Sequence, residues 1–163
     1  MKTNLIRALA VLMAILSLTL CLVACDGGSD ADSLYFTANG VRIAIGDTED
    51  SVKSQLGTPL SETSSESCGG FDGKDYVYTY KGFRISTTPA QKGQIICKVE
   101  LTDDSVKTPE GLYIGMARSD VEKAMAGKNC VAVGDNLVYT AGDAKLQVVF
   151  RDGTVSGIVY VAK

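Results

Sequence analysis

The sequence contains no histidine and no tryptophan among its 163 residues. Without histidine the chain has no Ser-His-Asp or Cys-His catalytic group, no imidazole metal ligand and no ordinary general base for neutral pH. Positive charge is also scarce. Once Lys2 and Arg7 near the N-terminus are set aside, 14 basic residues face 19 acidic ones, which leaves a net charge of −5. This balance argues against a nucleic-acid-binding protein.

Other patterns of catalytic and cofactor sites are missing as well. The glycine-rich stretch Gly69-Gly-Phe-Asp-Gly73 lacks the lysine and the following helix of a phosphate-binding loop. No spacing matches a nucleophile elbow or a Ser-x-x-Lys motif. The pair Asp103-Asp104 is better explained as a charged turn than as catalytic carboxylates or a Ca²⁺ site. We therefore predict a protein that is not an enzyme and that holds no metal and no cofactor.

The N-terminus has the pattern of an export signal. Lys2 and Arg7 precede an apolar run at residues 8–20, and the segment ends in Leu22-Val-Ala-Cys25. These four residues resemble the lipobox of bacterial lipoproteins, in which the cysteine is joined to diacylglycerol and the peptide is cut just before it. The resemblance implies lipidation at Cys25 and a location at the cell membrane, facing the extracytoplasmic side. An ordinary signal peptide or an uncleaved membrane helix are the alternatives.

The rest of the chain carries one pattern twice. Ile45-Gly and Ile114-Gly each end an apolar strand-like run, and each precedes a short amphipathic helix. The apolar pairs of the two helices, at 52 and 56 and at 121 and 125, lie sixty-nine residues apart. We predict a signal peptide at 1–24, a flexible tether at 25–33, a first α+β repeat at 34–104 and a second at 105–163.

The predicted fold class is α+β, with two tandem repeats that each consist of a short helix plus an antiparallel β-meander. Each helix is expected to pack on one face of its sheet. Asn39-Gly40 predicts a β-hairpin before the first helix, and residues 61–73 are interpreted as a polar loop. Strands are predicted near 75–80, 82–87 and 94–102 in the first repeat, and near 130–133, 136–141, 144–151 and 154–162 in the second.

The helix motifs resemble those of a known family. Ile114-Gly-Met-Ala-Arg-Ser-Asp-Val-Glu-Lys-Ala-Met125 and its upstream copy are similar to the Ile-Gly-Met-Thr-x-x-x-Val-x-x-x-Leu-Gly-x-Pro signature of the SmpA/OmlA lipoproteins and of the β-lactamase-inhibitor-protein-like fold. The resemblance implies a module that uses sheet and loop surfaces to bind other proteins. Asp47 stands in place of the Met in the first copy, and Ala126-Gly-Lys128 replaces the Gly-x-Pro stop in the second.

Strand alternation predicts where a partner would bind. If each strand is regular, Val149, Ile158 and Tyr160 lie together on the outer face of the second repeat, which is then unusually apolar. We interpret these three residues as a partner-binding patch. The alternative is that the other repeat or a dimer mate covers them.

A stripe of tyrosines is a second candidate. Tyr76, Tyr78 and Tyr80 share one face of a strand, where rigid rings with polar ends are suited to a protein interface or to stacking on a glycan. The neighbours Val77 and Thr79 are too small to fill a core, so these tyrosines are alternatively the core face of the strand.

Three cysteines follow the predicted lipidation site, and they carry little chemistry. No Cys-x-x-Cys motif occurs, and three thiols without histidine make a poor metal site. In an exported protein one disulfide is plausible, and Cys68 to Cys97 is the preferred pair because it stays within one repeat. A bridge from Cys68 to Cys130 is the alternative.

Taken together, these features predict a membrane-anchored extracytoplasmic lipoprotein that acts as a non-catalytic, inhibitor-like or other protein-binding module. Its partners would be the membrane, through the lipid on Cys25, and another protein of the cell envelope or outside the cell. The alternative is an assembly or structural factor of the cell envelope that binds peptidoglycan or a membrane protein complex.

Overall fold

Ten β-strands and two short helices make up residues 33–163, the part of the chain that this computed structural model describes. The strands are β1 Tyr35–Ala38, β2 Val41–Ala44, β3 Ser61–Glu66, β4 Lys74–Tyr80, β5 Phe83–Ala90, β6 Gly93–Leu101, β7 Cys130–Val133, β8 Asn136–Ala141, β9 Ala144–Arg151 and β10 Thr154–Ala162, and the helices are α1 Glu49–Leu56 and α2 Arg118–Ala124. The predicted signal peptide, the predicted lipidation site Cys25 and nearly all of the predicted tether lie outside the described residues.

Eight strands form one antiparallel sheet in the order β3-β4-β5-β6-β10-β9-β8-β7, and β1 pairs with β2 in a separate hairpin. The centre of the sheet is the β6–β10 pair, in which Leu101 lies opposite Ile158 and Val99 lies opposite Tyr160. Strands that are far apart in the chain therefore meet at the middle of the sheet. The two outermost strands, β3 and β7, are its open edges.

The predicted α+β arrangement of two helix-plus-meander repeats is wrong. The described part of the chain is mostly β, with one large sheet in place of a sheet for each repeat. The reason is the pairing of β6 with β10, which merges the two sets of strands. Sequence periodicity reports which residues share a face of a strand, but it contains no information on which distant strands pair.

Most individual strands agree with their predicted positions, and so does the first hairpin. Asn39 and Gly40 both have positive φ, 52° and 79°, as a type I′ turn requires. The predicted polar loop at 61–73 is an exception, because its first half is strand β3. All six side chains of β3 are exposed, and its backbone pairs with β4 from Ser61–Thr79 to Glu66–Lys74. Strand β3 has no apolar alternation, and the sequence pattern therefore did not predict it.

The core lies on the inner face of the large sheet, beneath the hairpin and the two helices. Phe36 of β1 is fully buried, and its ring meets Phe83 edge-on at 5.1 Å and Tyr160 at 6.2 Å. Each helix contributes a buried valine to the same cluster, Val52 from α1 and Val121 from α2. Burying a side chain of this size stabilises the fold by about 1.5–3 kcal/mol.

The segments that lead into the helices are attached to the two central strands through the backbone. Gly46 donates to the carbonyl of Ile96 at 2.8 Å, and Ile96 donates back to Asp47 at 2.8 Å. In the same way Gly115 donates to the carbonyl of Val155 at 2.7 Å. These bonds hold the helices over the inner face and leave the outer face of the sheet without any covering element among the described residues.

Candidate functional site

Strand β10 contains a β-bulge that decides which of its residues face the core. Its pairing with β9 runs from Val155–Phe150 directly to Gly157–Val149, so that Ser156 has no partner. A bulge adds one residue to one strand and thereby reverses the alternation beyond it. Val155 and Ile158 are consequently both buried, at 2% and 0% exposure, although three positions separate them.

The predicted patch of Val149, Ile158 and Tyr160 does not exist as a surface. Ile158 and Tyr160 are 0% and 1% exposed and belong to the core, whereas Val149 lies on the opposite face of the sheet. The prediction assumed a regular strand, and the bulge at Ser156 turned two of its three residues inward. The outer face of strands β7 to β10 is nevertheless apolar, and it contains Val149 together with five other valines.

Six valines lie on the outer face of strands β7 to β10, and we call this surface the valine face. They are Val131, Val133, Val138, Val149, Val159 and Val161. One row crosses all four strands, since Val131 lies opposite Val138, Val138 opposite Gln147, and Gln147 opposite Val159. Val131 and Val133 are 62% and 57% exposed, and the other four are partly exposed.

The other half of the same outer face is polar. The row that contains Val159 continues into Glu100, Arg84 and Thr79. Arg84 and Lys98 both pair with Glu100, at 3.2 and 3.3 Å. An uncovered face of an antiparallel sheet is normally polar, as this half is. The valine face is therefore more apolar than expected for a sheet surface whose only contact is with solvent.

Two basic side chains adjoin the valine face, and the acidic Asp135, Asp143 and Asp152 lie in the neighbouring turns. Lys145 lies opposite Val161 on the neighbouring strand, and Arg151 ends the row of outward side chains on β9. Neither forms an ion pair with another described residue. The acidic neighbour of Val159, Glu100, is already paired with two basic side chains. The border can thus attract carboxylates on a partner.

The tyrosine stripe belongs to the core face of β4, which is the alternative that its small neighbours indicated. Tyr78 and Tyr80 are 1% and 7% exposed. Tyr76 is half-buried and stacks on Tyr78 with ring centroids 5.9 Å apart. Only Tyr76 retains an accessible edge, so the three rings do not form a platform for a partner.

Glu49, at the start of α1, is the centre of a polar cluster between helix and sheet. Its carboxylate accepts hydrogen bonds from Tyr78 Oη at 2.6 Å and from Thr87 Oγ1 at 3.1 Å, and Lys53 lies 3.3 Å away. The Lys53 ammonium also sits 4.0 Å from the centre of the Tyr78 ring. Both carboxylate oxygens are engaged, so the cluster fastens α1 to the sheet and offers no free base.

Two buried tyrosines keep their protons more firmly than usual. Burial raises the pKa of Tyr78 above its ordinary 10.0, and the hydrogen bond to Glu49 raises it further. Burial likewise raises the pKa of Tyr160, with a smaller contribution from the charge of Glu110. Both phenols are therefore neutral at physiological pH and cannot act as bases there.

The three cysteines in the described part of the chain are free thiols. The expected Cys68–Cys97 disulfide is not formed, and neither is the alternative bridge to Cys130. Cys97 is the extra residue of a bulge in β6, and its thiol donates to the carbonyl of Ser86 at 3.3 Å. Burial raises the pKa of the Cys97 thiol and, to the same effect, that of Cys130, which lowers the reactivity of both.

The described residues do not assemble an evident reaction centre. A cavity of about 580 Å³ lies between the tip of the first hairpin and the β4–β5 turn. Its lining includes Lys81, Lys107 and Tyr80, and it contains no carboxylate and no thiol. Within residues 33–163 no three potential ligands among Cys, Asp and Glu are grouped to hold a metal ion. No helix in this range is long and apolar enough to cross a membrane.

Pattern analysis missed five of the six valines, and the missed signal is identifiable. The dipeptide Ser156-Gly157 interrupts an otherwise apolar strand, and a glycine inside a strand often marks a bulge or a close approach. A Cβ placed on Gly157 would lie 3.5 Å from Val149. Shifting the alternation at that dipeptide would have moved Val159 and Val161 outward.

No protein-family model, no curated protein and no solved structure matches this chain.

Proposed function

We propose that this chain is a lipid-anchored extracytoplasmic lipoprotein that binds another protein, without catalysis, through the valine face. The observation that carries the proposal is the contrast between the two halves of one uncovered sheet surface. The β4–β6 half is polar and ion-paired, whereas the β7–β10 half presents six valines to solvent. Contiguous apolar patches of this kind mark interaction sites on soluble domains.

The size of the valine face sets the strength of binding that it supports. Four strands about 4.8 Å apart, each contributing about five residues at about 3.3 Å, cover roughly 300 Å². If all of this area were apolar, its burial would be worth about 7–8 kcal/mol at about 25 cal/mol per Å², and the outward side chains of Gln147 and Thr140 reduce that value. Association costs about 4–15 kcal/mol in lost freedom. One valine face alone therefore sustains only weak binding, and further interactions are required.

The basic border indicates the chemistry of the partner. Lys145 and Arg151 have no acidic partner among the described residues. A complementary surface would carry aliphatic side chains bordered by Asp or Glu, so that apolar burial supplies affinity while charge supplies orientation and encounter rate. Because such border charges are screened by salt, binding should weaken as ionic strength rises.

The proposed anchor is the lipid on Cys25, which the resemblance of Leu22-Val-Ala-Cys25 to a lipobox supports. Each buried methylene of an acyl chain contributes about 0.8 kcal/mol, and two or more chains give a durable attachment. The small acidic residues that follow would hold the folded part away from the membrane. An anchored module meets partners in the plane of the membrane, where a weak interface is sufficient because the local concentration is high.

The test is quantitative affinity capture from the solubilised native envelope with three full-length baits. These are the unaltered chain, a Val138→Asp, Val159→Asp double variant, and a Thr79→Asp control. Thr79 lies in the same cross-strand row on the polar half of the sheet, so the control introduces one of the two added carboxylates at a matched site. Circular dichroism and urea unfolding establish that all three baits are folded. Mass spectrometry identifies and quantifies what each retains.

A protein retained by the unaltered chain and by the Thr79→Asp control, but lost by the double variant, supports the proposal. Its recovery should fall as salt increases, and its surface should carry an apolar patch bordered by acidic residues. Equal retention by all three baits would exclude the valine face as the binding site. Retention of peptidoglycan in place of a protein would favour the cell-envelope structural factor.

A further inference from the structure

The two open edges of the large sheet differ in charge. Strand β3 carries Glu62 and Glu66, and pairing it with the same strand of a second copy would set these carboxylates against each other. Charges on an edge strand are a common protection against unwanted strand pairing. Strand β7, Cys130-Val-Ala-Val133, carries no charge at all. Only the β7 edge is therefore suited to meet a copy of itself.

The backbone of β7 has groups available for such pairing. Val133 and Asn136 flank the two-residue turn Gly134-Asp135, and Gly134 adopts φ 60°, as the first central position of a type II′ turn requires. Flanking residues of a two-residue turn form a hydrogen-bonded pair, and the direction of these bonds alternates along the strand. The N–H and C=O of Ala132 consequently point toward the open edge. Among residues 33–163 no backbone bond from another element reaches them.

We propose that the chain forms a two-fold homodimer in which β7 pairs antiparallel with β7 of a second copy, centred on Ala132. The two Ala132 residues exchange N–H···O=C bonds, and Val131 of each copy lies beside Val133 of the other. A two-fold axis perpendicular to the sheet keeps both outer faces on the same side. The result is a continuous sixteen-stranded sheet. This inference rests on the proposed function, because it describes the form in which the valine face binds its partner.

The dimer completes a site that is too small in one copy. A stable protein interface needs about 800 Å² from each partner, whereas one valine face covers roughly 300 Å² by strand spacing. Joining the two faces at Val131 and Val133 gives one surface of roughly 600 Å² by the same spacing, which is closer to that size. Val131 and Val133 are the most exposed valines of the face. The proposed junction therefore lies where a single copy exposes the most apolar area.

The experiment is disulfide trapping in native membranes with the full-length chain. Cys68, Cys97 and Cys130 are replaced by Ser, and Ala132→Cys is introduced. A directly opposed hydrogen-bonded pair has Cα atoms about 5.5 Å apart, which is within the range that a disulfide spans. The matched control places the cysteine at Ser64, in the middle of the β3 edge, in the same background.

After mild oxidation, the proposal predicts that more than half of the Ala132→Cys chains migrate as a covalent dimer, against a background level for Ser64→Cys. Adding Val131→Lys to the Ala132→Cys chain should reduce trapping at least fivefold, since two ammonium groups then face the junction. A Val77→Lys change on the polar half should leave trapping unaltered. Equal trapping at both edges, or none at Ala132, would overturn the dimer.

Sedimentation of the unoxidised chain in detergent provides the second readout and keeps the two proposals separable. A dimer that Val131→Lys converts to a monomer supports the inference, and a monomer at all concentrations overturns it. If the chain is monomeric while capture still depends on Val138 and Val159, the binding function stands and the dimer fails. If the dimer forms while capture is independent of these valines, the proposed function fails.

Discussion

Val155 and Ile158 face the same side of strand β10 although they are three positions apart, because Ser156 is the unpaired residue of a β-bulge. The displacement has two consequences. Ile158 fills the centre of the core opposite Leu101, and Val159 moves to the solvent side opposite Glu100. The boundary between the core and the valine face thus depends on one extra residue in one strand.

The first prediction concerns the two neighbours at this boundary. Ile158→Ala should lower the free energy of unfolding by about 2–5 kcal/mol, because it removes fully buried methylene groups and leaves a cavity. Val159→Ala should change it by less than about 1 kcal/mol, because the side chain is partly exposed. Urea unfolding followed by circular dichroism measures both values. Similar losses of unfolding free energy for the two variants would mean that Ile158 and Val159 are equally buried, which contradicts a bulge at Ser156.

The second prediction concerns the polar cluster under α1. Glu49→Ala should destabilise the fold by about 1–3 kcal/mol, since the hydroxyls of Tyr78 and Thr87 lose their acceptor while remaining buried. The matched control is Glu62→Ala. The carboxylate of Glu62 lies 3.7 Å from the ammonium of Lys53, which also pairs with Glu49, but the Glu62 side chain is 48% exposed. A surface ion pair contributes about 0–1 kcal/mol. Equal unfolding midpoints for the two variants would contradict the structural role of Glu49.

The third prediction is a loss of stability at alkaline pH. The folded-state pKa values of Tyr78 and Tyr160 are raised above the ordinary 10.0, so above that pH the unfolded chain releases protons that the folded chain retains. Stability is fully present below pH 10 and falls above it by at most about 1.4 kcal/mol per pH unit for each tyrosine. Urea unfolding at pH 8 and pH 11 measures the difference.

In this pH test Tyr160→Phe should make the alkaline loss smaller, because one of the raised tyrosine pKa values is removed. Tyr113→Phe serves as the comparison, since Tyr113 is only half-buried. A loss of equal size in the unaltered chain and the Tyr160→Phe variant would show that the buried phenol does not control the alkaline transition.

The fourth prediction concerns the turn between β4 and β5. Gly82 has φ 84°, and a Cβ there would lie 2.5 Å from Ser105 Oγ and 2.8 Å from Val106 Cγ1. Gly93 has a similar φ of 99° with nothing within 4 Å of the same position. Both alanine variants incur the strain of positive φ, about 1 kcal/mol, and only Gly82→Ala adds a steric clash. In thermal unfolding, the midpoint temperature of Gly82→Ala should therefore be clearly lower than that of Gly93→Ala.

Sequence patterns located most of the strands, because apolar alternation and the turns at Asn39-Gly40 and Lys81-Gly82 are local properties. The pairing of β6 with β10 is not local, and it turned an expected pair of repeats into a single sheet. Strand β3 was not predicted, because all its side chains are polar and exposed. Of the three residues predicted to form an apolar outer patch, Val149 lies on the outer face, whereas Ile158 and Tyr160 are buried because the bulge at Ser156 reverses the alternation that the prediction used.

The most direct test of the central claim is site-specific photocrosslinking in living cells. A photoreactive amino acid replaces Val149 of the valine face or, as the control, Val77 on the polar half of the same outer surface. Both positions are partly exposed valines on strands. We expect Val149 to yield a discrete crosslink to a second protein, Val77 to yield none, and the crosslink to disappear when Val159→Asp is added. Crosslinks from Val77 alone, or crosslinks from Val149 that persist with Val159→Asp, would contradict binding through the valine face.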